Sequence, residues 1–234
     1  MPLVVFLVLG TLQLFMMLQA RIMAQYAVYK AVRSGSLMHG DCEAMTHTAL
    51  VALMPTITRV DSPTSLAEAF GNRRTNRYNP NKDFGYGTQI IEIYRESPLL
   101  ASIQPPILED NQFDQPATPN ASNPLKRLEV RMIYWYRLKI PFADWVMSRM
   151  FLAHYDLQAY NNANPLAPVQ GKAGWPDGPT ATFANEIWPG GPLGPNMRTW
   201  SAAGFYLFPL RVTASMKMMV PARRSNFKKP ECPL

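Results

Sequence analysis

The sequence predicts an α+β fold: a long, hydrophobic, pilin-like N-terminal helix packed on a small antiparallel β-sheet with long Pro/Gly-rich loops. Three observations carry this. Positions 1 to 20 hold no charged side chain, no proline interrupts positions 3 to 54, and three strongly alternating segments lie far apart, separated by proline-rich connections. The predicted domains are a helix over 1–54, whose first 20 residues form its membrane or filament-core half, and a β-rich head over 55–234.

The opening segment, MPLVVFLVLGTLQLFMMLQA, has Gln13 and Gln19 as its only strongly polar side chains. About 20 such residues cross a hydrocarbon core of ~30 Å at ~1.5 Å per residue. A cleaved signal peptide would have a shorter apolar core behind a positive charge, and here nothing basic precedes Arg21. A buried core helix is the other alternative. The pattern continues through ARIMAQYAVYKAVRSG, rich in good helix formers, with Ile22, Tyr26, Tyr29 and Val32 spaced along one face. Gly35 is a place for a bend or close packing, and Pro55 is a stop signal. A continuous helix to Met54 spans roughly 80 Å. The basic residues after the apolar run place position 21 onward in the cytoplasm by the positive-inside rule. The opposite orientation follows if a basic leader precedes Met1.

Positions 55 to 87 read as loop. Thr88–Arg95 alternates and is the first expected strand. Lys126–Ile140 is the second, with Leu128, Val130, Met132, Tyr134, Tyr136, Leu138 and Ile140 on one face and Glu129, Arg131, Arg137 and Lys139 on the other. A short helix is expected over Phe142–Ala153, and the last strand lies within Phe205–Val220. Positions 161 to 200 read as extended, with Trp175, Trp188 and Trp200 as anchors. Three strands joined by long loops suit an antiparallel sheet, apolar on one face.

Composition removes several classes of function. There are 22 Pro against 13 Gly, which excludes a helical bundle, and only two cysteines, which excludes a disulfide scaffold or a four-cysteine zinc site. No phosphate-binding, dinucleotide-binding, metalloprotease or serine-hydrolase motif is present. His39, Glu43 and His47 share a face if the helix is continuous. Two turns then set the histidines about 12 Å apart, too far to grip one metal unaided. Glu109-Asp110, in a proline-rich loop, reads as solvated rather than catalytic. The net charge of +7 comes from short basic clusters without a recognition fold, so a weak polyanion affinity is expected but no specific nucleic-acid partner. No cofactor, metal or catalytic residue is implied.

Leu9-Gly10-Thr11-Leu12-Gln13 followed by ARIMAQYAVYKAVRSG resembles the N-terminal helix of TadE-like pilins and pseudopilins, subunits of tight-adherence (Tad) pili in the type IV filament superfamily. LEVRMIYWYRLKIPFADWVM and PLRVTASMKMMVPA resemble that family's later strands. Coverage is about positions 1 to 55, 126 to 150 and 207 to 222. The resemblance implies a non-enzymatic subunit that polymerises through its helix for surface adhesion. Its partners are copies of itself, the Tad-type assembly machinery and the inner membrane before assembly, and its final location is the extracellular pilus. Val4, Leu7, Leu9, Leu12, Leu14, Met17 and Leu18 are then the filament-core residues. The family's leader and early glutamate are not matched in positions 1 to 20, where position 5 is Val5, so Met1 is expected to lie inside the helix of a longer precursor, or the chain to be cut elsewhere. A membrane-anchored envelope protein with a ligand-binding outer domain is the alternative. A bridge between Cys42 and Cys232 is expected in an oxidising compartment, where it would hold a tail with little else to fix it; two unpaired thiols are the other outcome.

Overall fold

The computed structural model describes residues 2–78, 88–100, 103, 127–154, 200–201 and 203–232. Their elements are α1 (Pro2–Leu37), α2 (Cys42–Ile57), α3 (Pro63–Gly71), β1 (Ile91–Ser97), β2 (Arg127–Arg137), α4 (Ala143–His154) and β3 (Leu207–Lys217). The long apolar helix and the small antiparallel sheet expected from the sequence are both present. Trp175, Trp188, Glu109 and Asp110 lie outside the described residues.

The uninterrupted helix over 1–54 is not observed. α1 ends at Leu37 after 36 residues, about 54 Å at ~1.5 Å per residue. His39 and Gly40 then take left-handed backbone angles, φ 56 and 76, and the Gly40 N–H returns to the Gly35 carbonyl at 2.8 Å. This is a left-handed helix stop. Asp41 at once starts α2, its carboxylate accepting from the Ala44 N–H at 3.1 Å. Any side chain at Gly40 would also run into the Phe227 ring. The turn removes His39 from the expected face. Its Nδ1 donates to the Pro221 carbonyl at 2.8 Å, while His47 packs edge-on against Phe70.

The expected loop over 55–87 contains α3. Ser62 and Ser65 form a reciprocal capping box, with Pro63 in the first turn. The first strand begins at Ile91 rather than Thr88, and its register with β2 slips between Arg95 and Ser97.

Two compact units divide the chain: Met1–Met17 with Tyr136–Phe208, and Leu18–Trp135 with Pro209–Leu234. In the second, the sheet order is β1-β2-β3. β1 and β2 are antiparallel, pairing Ile91 with Tyr134 and Glu92 with Ile133. α1 at Gly35 and α2 both reach the same face of this sheet. A Cβ on Gly35 of α1 would stand 2.5 Å from the Met45 sulfur of α2 and 2.9 Å from Leu128 of β2, so α1 approaches both more closely than a side chain permits. Thr56 of α2 meets the Tyr134 hydroxyl at 2.8 Å. The sheet is not apolar on one face alone. Ile133 and Trp135, on the other face of β2, are as buried as Met132 and Tyr134.

In the first unit, Gln13 is fully buried. Its carbonyl oxygen accepts from the Lys139 and Ile140 N–H groups at 3.2 and 2.9 Å. These two donors follow the end of β2. Phe6 meets Phe142 edge-on, centroids 5.6 Å apart, and Phe151 of α4 packs on Phe208 at 4.9 Å.

Candidate functional site

α1 has two stripes. The inward one runs Leu9, Gln13, Met17, Ala20, Ala24, Ala27, Val28, Ala31, Val32 and Gly35, spaced at three and four residues. Its small members let the backbone come close, and its one amide fixes the helix rotation through Gln13. The outward stripe runs Val4, Leu7, Val8, Leu14, Phe15, Leu18 and Ile22, continuing to Tyr26 and Tyr29, and all are exposed. Among the expected core-forming residues, Val4, Leu7, Leu12, Leu14 and Leu18 are thus solvent-facing, with Leu7 at 58% and Leu14 at 55%. Leu9 and Met17 are half-buried on the inward side. Val32, expected alongside Tyr29, is buried. Hydrophobic side chains left in water over five helical turns mark a face built to be covered by something else. α1 is also the one described helix long and apolar enough to cross a membrane.

The head is closed at its tail. Cys42, first residue of α2, is disulfide-bonded to Cys232, with Cα atoms 5.1 Å apart across a sequence separation of 190. The tail does not depend on this bond alone. Arg95, 4% exposed, donates to the carbonyls of Gly40, Asn226 and Lys229. Burial lowers the Arg95 pKa to about 10, Asp41 opposing, so it stays charged near neutrality. The tail also lines the free edge of β1: the Cys232 N–H donates to the Ile93 carbonyl and the Arg95 N–H to the Pro230 carbonyl, both at 2.9 Å. One pair further along, the Asn76 side chain donates to the Ile91 carbonyl at 2.7 Å and accepts from its N–H at 3.0 Å. An edge so occupied cannot recruit a foreign strand.

On the opposite face of β1, Glu92 is buried. Trp135 Nε1 and the Tyr94 hydroxyl each donate to one of its oxygens at 2.9 Å. Burial pushes the carboxyl up to about 7, the two hydrogen bonds pull it down, and Glu231 adds a further upward push. Tyr94 is raised well above its usual value by burial and by Glu92. Both carboxyl oxygens are engaged within the sheet, so the group reads as a structural acid. The sequence reading missed Gln13, Glu92 and Arg95. The signals were there: a glutamine in an uncharged run, and two charged residues in a segment otherwise rich in isoleucine.

Among the described residues no group of three metal-ligating side chains converges. No family model, curated protein or solved structure matches the chain.

Proposed function

We propose that the chain is a structural subunit of an extracellular type IV-like filament of the tight-adherence class. It waits in the inner membrane and then polymerises through α1. The observation that carries this is the outward stripe of α1, apolar from Val4 to Ile22, on a helix whose other face is committed to its own fold. Covering that stripe with the same helix of neighbouring copies removes it from water at ~25 cal/mol per Å². In the first turns Val4, Val5, Phe6, Leu7 and Val8 are exposed on every side of the helix, so α1 can meet more than one neighbour, and head-to-tail contacts that do not close build a fibre. A disulfide between Cys42 and Cys232 suits an oxidising exterior. The saturated β1 edge supports helix packing, rather than strand exchange through β1, as the route of assembly.

The test is negative-stain microscopy of sheared surface material labelled with an antibody to this chain. Filaments labelled along their length support a major subunit, and sparse labelling supports a minor one. Labelled membrane without labelled filaments overturns the proposal in favour of an anchored envelope protein.

A further inference from the structure

Gln13 has two incompatible settings. It stands eight residues before Arg21, the first charged side chain of the chain. With the apolar run spanning a bilayer, its amide lies about 12 Å below the surface, near the midplane of a ~30 Å core. In the structure the same amide is fully buried and accepts from the Lys139 and Ile140 N–H groups. Two turns earlier on that face of α1, the Phe6 ring meets Phe142. These two contacts seat positions 138 to 142 alongside the apolar half of α1. The seated stretch is neither strand nor helix.

Such a stretch does not follow α1 into hydrocarbon. Irregular backbone is excluded from the lipid-exposed core, where no water satisfies its N–H and C=O groups. Lys139, Pro141 and Phe142 are exposed, so the seat would bring an ammonium group and open backbone to the level of Gln13. A charge at that depth is costly, and a lysine stem is too short to reach the headgroups from there. Asp144 follows at once in α4 and adds a second charge. Insertion of α1 therefore requires the seat to be empty. The converse also holds. In hydrocarbon the Gln13 amide is an unpaired polar group, a cost that docking on Lys139 and Ile140 removes.

We propose that the seat of Gln13 on Lys139 and Ile140 is a latch that opens when α1 enters the bilayer and closes when α1 leaves it. This rests on the reading that the chain waits in a membrane before it polymerises. With the latch closed, Gln13 fixes the rotation of α1, and so fixes which side chains α1 offers to neighbouring copies. With the latch open, that rotation is not set by the head. The latch ties readiness to polymerise to extraction from the membrane.

Benzoylphenylalanine in place of Phe6, a conservative aromatic exchange, is photolysed in the full chain, once in phospholipid nanodiscs and once in filaments. The nanodisc sample is expected to give a lipid adduct. The filament sample is expected to give a crosslink to the peptide holding Phe142 of the same chain, at several-fold higher yield than in nanodiscs. The same probe at Leu7, which is exposed, reports separately whether α1 meets lipid. A lipid adduct at Leu7, with the Phe142 crosslink equally strong in nanodiscs and filaments, overturns the latch alone, because the seat is then closed in the membrane. Filaments without the Phe142 crosslink also overturn the latch alone. No lipid adduct at Leu7 overturns the membrane reading and the latch with it. Gln13→Leu keeps the bulk and removes the acceptor. It is expected to leave insertion and the Cys42–Cys232 bond unchanged while filament yield falls several-fold, and an unchanged filament yield overturns the latch.

Discussion

The Arg95 guanidinium lies over the Phe227 ring, 4.5 Å from its centroid, while its N–H groups reach carbonyls on both sides of the chain's closure. Gly40 contributes one from the α1–α2 turn, and Asn226 and Lys229 contribute two from the tail. One side chain thus ties the tail to the helices without covalent help. Arg95→Ala leaves three carbonyls without this donor and is expected to cost about 3 kcal/mol or more. Arg95→Lys, which loses the planar fork, is expected to recover only part of that. The check is thermal unfolding, together with limited proteolysis after reduction. The reduced parent chain should keep its tail protected, and the reduced Arg95→Ala chain should lose it.

Removing the disulfide tests the other tie. Cys42→Ser with Cys232→Ser is expected to destabilise by about 5 kcal/mol in the chain-entropy account of a loop this long. Mass spectrometry of non-reduced, proteolysed filaments should recover a linked peptide pair. Two freely alkylated thiols from intact filaments would contradict the bond.

Glu92 sets a pH dependence. Its folded pKa, about 7, lies above the ordinary 4.5, so the folded state holds this proton more tightly than the unfolded chain. Stability from the group is complete below about pH 4.5, falls as pH rises, and is lost once pH passes 7. Glu92→Gln mimics the protonated form. It should match the parent near pH 4 and exceed it above pH 7 by on the order of 3 kcal/mol. Denaturant titrations at the two ends of this window read the difference directly, and a constant offset between the two proteins would contradict the assignment.

The outward stripe separates folding from assembly. Leu7→Asp and Leu14→Asp change side chains that are more than half exposed, so each variant in detergent should unfold within about 0.5 kcal/mol of the parent. The same charge placed in an apolar bundle or bilayer costs several kcal/mol, so filament number should collapse. Normal filament yield from either variant would refute the role given to the stripe.

Much of this architecture was legible in the sequence because it rests on periodicity. The uncharged run of α1 and the alternation of Leu128 to Tyr136 each repeat a signal over many residues. What escaped was local. The stop at Gly40-Asp41 was hidden because no proline marks it, although glycine followed by aspartate is itself a helix end and a helix start. α3 was missed for the same reason: Ser62-Pro63 with Ser65 is a cap, read as loop because prolines and asparagines surround it. The inward placement of Leu9 and Met17 was not readable from composition, since nearly every position of that run is apolar and only Gln13 and Gln19 are strongly polar. The tail was expected to depend on its cysteine. Arg95, more than 130 residues away from it in sequence, could not be assigned to it before the fold brought them together.

The bond between Cys42 and Cys232 makes the chain from α2 to the tail a closed ring, with α1 leaving it as a handle. A protease that cuts once anywhere within that ring opens it but releases nothing. The two fragments stay joined through sulfur, and α1 keeps its cargo. A filament built from such subunits can be nicked across its outer surface and shed no mass until a reductant arrives.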